Sequence, residues 1–157
     1  MRYRYRVAIV ISIILGIIFI VSGIGKLLGQ NALLANTLPL LGMTPGLANI
    51  IAHGVPWVEL ILGILLVTGI CAKLAVSLSF VFIAAFIFYN SWMITHGLGY
   101  EPCGCFGIFE KLFLGELSTI DSLYIDIGLF ILALIIFFSY SGNFLNMRPW
   151  FIKRKSK

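Results

Sequence analysis

The most distinctive chemistry in the chain belongs to two cysteines. Cys103 and Cys105 bracket Gly104 in the run Glu101, Pro102, Cys103, Gly104, Cys105, Phe106, Gly107. A disulfide between partners this close closes a very small loop, restricts the unfolded chain little, and is therefore a poor staple. In an extended segment the two side chains would point to opposite faces, so pairing requires a turn, which Gly104 permits. Strain makes such a bond easy to reduce, and labile disulfides are the ones that exchange. The pattern points to thiol-disulfide chemistry with Cys103 and Cys105 as the catalytic pair. A purely structural loop disulfide stays open as an alternative. A metal held with His96 or Glu101 is not expected, because a structural zinc site needs four ligands and a second close pair is absent.

The elements that position these thiols follow from composition. Of 157 residues, 61% are hydrophobic and 11% charged, and the mean hydropathy is +1.07. Soluble domains run about 45–50% apolar and about 25% charged, so water-soluble, disordered and collagen-like classes are excluded. The expected fold is all-α: a polytopic membrane protein, one domain over 1–157, built as a bundle of four transmembrane helices. The spans are expected at about 7–28, 45–70, 74–95 and 121–141, with outer loops at 29–44 and 96–120. The first apolar run is too long for the core of a signal peptide. Thr44 and Pro45 fit the N-cap and first position of the second helix, and Pro56 inside it is expected to kink the chain near Gly54. Only Cys71, Ala72 and Lys73 separate the second and third spans, which makes them antiparallel neighbours. Ser118 and Asp121 have the spacing of a helix-capping pair for the fourth.

Charge sets the expected orientation, since cytoplasmic loops collect Lys and Arg. Arg2, Arg4, Arg6, Lys73, Arg148, Lys153, Arg154, Lys155 and Lys157 fall on one side, and only Lys26 and Lys111 fall towards the other, where Glu101, Glu110, Glu116 and Asp121 also lie. Both termini are expected in the cytoplasm of a bacterial-type inner membrane, with the cysteine loop on the extracytoplasmic side, where a disulfide persists. Cys71 then lies a bilayer thickness from the pair and is read as a small packed hydrophobe. The net charge of +5 is concentrated at the termini. It fits an anchor on anionic lipid rather than a nucleic-acid surface.

Ionisable groups inside a span are costly and by default mark function. Lys26, Glu59 and Asp126, with the amide Asn90, all fall in the outer half of their spans, beneath the cysteine loop. Two readings remain open. Lys26 pairs with Glu59 or Asp126 as a lock between helices, or the group forms a polar pocket that holds a quinone headgroup or relays protons, with Trp57 as a wall. His53 and His96 are read as interfacial residues.

Three motifs occur in the order of a known family. They are Ser22, Gly23, Ile24, Gly25, Lys26 at the end of the first span; Val55, Pro56, Trp57, Val58, Glu59, Leu60 followed by Gly63 in the second; and Cys103, Gly104, Cys105, Phe106, Gly107 before the fourth. On these the chain resembles the MauE family, within the broader set of DoxX-like four-helix membrane proteins. Ile125 and Asp126 stand where that family often has an Arg followed by an amide or acid. The resemblance implies a redox-associated membrane protein working beside a thioredoxin-like extracytoplasmic partner and linked with disulfide formation in methylamine dehydrogenase maturation; the methylamine role is not carried over. The expected function is a membrane thiol-disulfide oxidoreductase that exchanges Cys103–Cys105 with a thioredoxin-like or secreted thiol protein and passes electrons to membrane quinone. The alternative is a non-enzymatic adaptor or maturation subunit with a structural loop disulfide.

Overall fold

A computed structural model describes residues 2–29, 36, 38–100, 108 and 117–139. Cys103, Cys105, Lys111 and the basic tail at 148–157 lie outside the described residues. The chain forms α1 (Arg2–Gly29), a short 3-10 turn (Leu38–Leu41), α2 (Pro45–Thr68), α3 (Ala72–Thr95) and α4 (Thr119–Ser139). Four stretches are long and apolar enough to cross a bilayer: Val7–Gly29, Pro45–Thr68, Ala72–Thr95 and Thr119–Phe138. No strand occurs among the described residues. This is a multi-pass helical membrane protein.

Helix ends follow local chemistry. Thr44 is the extended N-cap of α2, with Pro45 at the first helical position, where its missing N–H costs nothing. α2 runs as continuous α-helix through Pro56. It stops at Thr68 rather than near residue 70 because Gly69 takes a left-handed conformation at φ 73° and donates its N–H to the Leu65 carbonyl. Cys71, at φ 49°, is the one non-glycine residue with positive φ among those described. It turns the chain directly into α3, which therefore starts at Ala72. At α4 the Ser118 hydroxyl donates to Asp121 Oδ2 at 2.7 Å and accepts from the Asp121 N–H at 3.2 Å. This reciprocal cap begins α4 at Thr119, two residues before the position expected from hydropathy alone.

The outward faces are apolar at helical spacing. Val10, Ile14, Ile17, Val21 and Ile24 are exposed along α1, and Tyr124, Ile127, Ile131, Ile135 and Phe138 along α4. In water such stripes would be a liability; in a bilayer they are the solvated surface. Inside, Leu15 and Phe19 of α1, Leu62 and Leu66 of α2, Val76 and Ile83 of α3, and Ala133 and Ile136 of α4 form one core. A second cluster of Leu38, Ala48, Tyr89 and Met93 closes one end between α2 and α3.

Packing is most extensive between α1 and α2 and between α3 and α4. The first contact is made by glycine. A Cβ on Gly16 would come within 2.8 Å of the Gly63 carbonyl oxygen, one on Gly63 within 2.7 Å of that of Gly16, and one on Gly23 within 2.9 Å of that of Pro56. The backbones touch, which is how helices associate where no hydrophobic effect drives them together. The Ser12 hydroxyl adds a bond to the Leu66 carbonyl at 3.0 Å. Between α3 and α4, Phe80 and Phe130 pack with ring centroids 4.2 Å apart.

Gly63→Ala is expected to destabilise the protein by about 1–3 kcal/mol, because the methyl group meets backbone that cannot move aside. Gly128→Ala, whose added Cβ meets nothing within 4 Å, should leave the melting temperature unchanged or raise it. Thermal unfolding of both variants in one detergent checks the contrast.

Candidate functional site

Every helix contributes a polar side chain to one level of the bundle. Lys26 lies in the last turn of α1, and Asp126 lies about two turns below the start of α4. Glu59 of α2 and Asn90 of α3 reach the same level from the other two helices. Lys26, Glu59 and Asn90 are buried, and Asp126 is half-buried.

Two hydrogen-bonded pairs form there. The Lys26 ammonium donates to Glu59 Oε1 as a buried ion pair, and the Ser22 hydroxyl donates to Glu59 Oε2 at 3.1 Å. Serine and lysine four residues apart share a face of α1 and together take both carboxylate oxygens. The ammonium also sits 4.5 Å from the centroid of the Phe86 ring, a cation–π contact. Opposite, Asn90 Nδ2 donates to Asp126 Oδ2 at 2.8 Å. Of the two partners the sequence allowed for Lys26, the structure selects Glu59 for direct contact. Asp126 lines the same cavity as Lys26 and Glu59.

Between the pairs lies a cavity of about 40 Å³, lined by Lys26, Glu59, Asp126, Ser22 and Ser122 together with the apolar Ile18, Phe19, Phe82, Ile83, Phe86, Ile125 and Leu129. Ile18, Ile125 and Leu129 are only partly buried, so on the side between α1 and α4 the cavity borders the lipid. The donors Lys26 and Ser122 could meet the carbonyl oxygen of a headgroup docked at that border. The cavity behind it is sized for water, not for a ring. Trp57, expected as a wall, is 59% exposed and is not among the lining residues. It sits on the outward face of α2 with Ile61 and Ile64. The α3 residue that does border the ammonium is Phe86.

The cysteine loop is fixed at both ends above this level. The Leu98 N–H bonds the Met93 carbonyl at 3.0 Å, and the Ile120 N–H bonds the Gly99 carbonyl at 3.3 Å. The chain thus leaves α3 and re-enters α4 at one place. Cys103 and Cys105, in the segment between, lie outside the described residues. His96 stacks on Trp92 with centroids 4.1 Å apart and contacts its carbonyl through Nδ1 at 3.0 Å, while His53 Nδ1 contacts the Asn49 carbonyl at 2.8 Å. Both are exposed and engaged within their own helices. Among the described residues no three of His, Cys, Asp and Glu converge as a metal site would require.

The family model described as Methylamine utilisation protein MauE matches residues 4–139, from the first turn of α1 to the last described residue of α4. The chain belongs to the MauE family. No curated protein and no solved structure matches it. Two of the motifs that resemble the family, Ser22 to Lys26 and Val55 to Gly63, meet in this MauE-family chain as the Lys26–Glu59 ion pair and the glycine contacts around it. Ser22, Ser122 and Phe86 were not singled out from sequence as members of the site. Ser22 and Ser122 stand four residues before Lys26 and Asp126, and that repeated helical spacing was the available signal.

Removing one partner of a buried pair strands the other charge. Lys26→Met and Glu59→Leu are each expected to cost about 3–5 kcal/mol, and the double variant Lys26→Met/Glu59→Leu to recover most of that loss. A double-mutant cycle on thermal stability in detergent measures it; additive effects would show that the pair is not coupled.

Proposed function

We propose that this MauE-family protein is a membrane thiol-disulfide oxidoreductase in which Cys103 and Cys105 exchange electrons with an extracytoplasmic thioredoxin-like or secreted dithiol protein. The observation that carries this reading is the Gly99–Ile120 hydrogen bond. It ties both ends of the Cys-Gly-Cys segment to the end of the bundle that carries the buried polar residues. A loop that served only to connect α3 and α4 would not need ionisable groups from three helices beneath it, each costly in hydrocarbon.

In the exchange, a thiolate of the partner attacks one sulfur of the Cys103–Cys105 disulfide and expels the other as a thiolate. The partner's second thiol then attacks the mixed disulfide, leaving the partner oxidised and both cysteines reduced. The cysteines now hold two electrons and two protons that must leave before the next cycle. Membrane quinone, when bound, accepts two electrons and two protons and so completes the cycle. Ile18, Ile125 and Leu129 would hold it at the lipid border, with Lys26 and Ser122 behind. The Lys/Arg asymmetry supports cytoplasmic termini in a bacterial-type inner membrane and an extracytoplasmic loop.

The closed Lys26–Glu59 pair favours a second reading, in which the polar level is only a lock and the protein is an adaptor with a structural loop disulfide. That reading expects Cys103→Ala to weaken partner recruitment with no change in any thiol redox state.

The deciding test is the redox state of Cys103 and Cys105 in intact membranes, by acid quench and mass-tagged alkylation. A pair that is mainly oxidised and becomes reduced on quinone depletion is the expected result. A pair that stays oxidised regardless supports the adaptor. In purified protein, reduction of a quinone analogue by a dithiol donor should fall to background in Cys105→Ser.

A further inference from the structure

One buried group takes no part in either polar pair. Ser122 is 1% exposed, and its Oγ has no hydrogen-bond partner among the described residues. A buried helical serine ordinarily bonds the carbonyl one turn back, and leaving a hydroxyl unpaired costs more than a formed bond gains. Yet Ser122 lines the cavity, one turn above Asp126 on the same face of α4.

Two further groups on the cavity have capacity to spare. An ammonium carries three N–H donors; Glu59 takes one from Lys26, and the Phe86 ring covers another side. A carboxyl group accepts at both oxygens, and Asn90 occupies Oδ2 of Asp126. Ser122, Lys26 and Asp126 all line the same space of about 40 Å³. A bound water needs about 10–15 Å³ of such space and two to four polar partners. Both requirements are met for a cluster of about three waters.

We infer that this cavity is a water site, in which a small cluster anchored on Ser122 joins Asp126 to the Lys26–Glu59 pair and makes the polar groups of all four helices one hydrogen-bonded network. Lys26 bounds it from α1, Glu59 from α2 and Asp126 from α4, while Asn90 of α3 holds Asp126 in place. Its role as a proton path rests on the redox reading above. Each proton released when the reduced cysteines close to a disulfide passes through the waters to the Asp126 carboxyl. A quinone held at the lipid border would take up both protons and both electrons that the thiols lose. The water site itself does not depend on that reading.

Three measurements on the purified full chain test it. X-ray radiolytic labelling should oxidise Phe86 at least several-fold faster than Phe130 and Phe137, which are partly buried like it but pack on the apolar core away from the cavity; equal rates overturn the water site. Ser122→Ala should lower the melting temperature by a few degrees, because a bond to water is lost. A rise would mean that the cavity is dry and the hydroxyl an orphan whose removal helps. Asp126→Asn should slow dithiol-dependent reduction of a quinone analogue about tenfold, and an unchanged rate overturns the proton path. If the wild-type chain gives no such turnover, the redox reading falls and takes the proton path with it, while the water site stands or falls on the first two measurements.

Discussion

Bulk water does not accompany a charge below the surface of a bilayer, so an ammonium and a carboxylate carried there must find each other. In this chain that requirement governs how α1 and α2 meet. Lys26 reaches Glu59 because the backbones beneath the pair touch, and they touch because Gly16, Gly23 and Gly63 carry no side chain at the crossing. A methyl group on Gly23 would press within 3.3 Å of Glu59 Cβ as well as on the Pro56 carbonyl. The glycines set the register, and the register brings the charges together. The Ser12–Leu66 and Ser22–Glu59 bonds fall along the same seam, so polar and steric complementarity select one alignment.

The bundle reads as two tightly joined halves. α1 with α2 and α3 with α4 have the larger interfaces, whereas α2 and α3, although adjacent in sequence, meet over a smaller one. Each half carries its own polar bond, Lys26–Glu59 in one and Asn90–Asp126 in the other. The cavity lies where the halves face each other. Polar groups left partly unsatisfied at such a seam can be linked across it with little distortion of either half.

Composition made the membrane class and the number of helices legible, because hydrocarbon imposes a minimum apolar length that soluble segments rarely reach. Capping chemistry was legible where a short motif decides it, as at Thr44–Pro45 and Ser118–Asp121. The end of α2 was misplaced by two residues because Gly69 stops the helix while the apolar run continues through Ile70 and Cys71. Depth along a span could be counted from sequence, and it placed Lys26, Glu59, Asn90 and Asp126 together. Rotation about the helix axis could not. Trp57 stands two residues before Glu59, a spacing that turns it away from the partner helix and towards lipid. Ser122 was overshadowed by the neighbouring Ser118–Asp121 cap, since a lone serine in a helix carries no sign of what it faces.

The single hydrogen bond from Ile120 to Gly99, with the Ile120 side chain packed on that glycine, makes the ends of the intervening segment a fixed doorway. The bundle registers only where the chain goes out and where it comes back. Doubling the length of a closed loop costs only about 0.6 kcal/mol, so insertions in the intervening segment ahead of the Ser118 cap and the buried Thr119 leave the helices and their polar level almost undisturbed. The architecture thereby separates two kinds of change: one inside the doorway leaves the bundle standing, whereas one at the buried level is felt by all four helices at once.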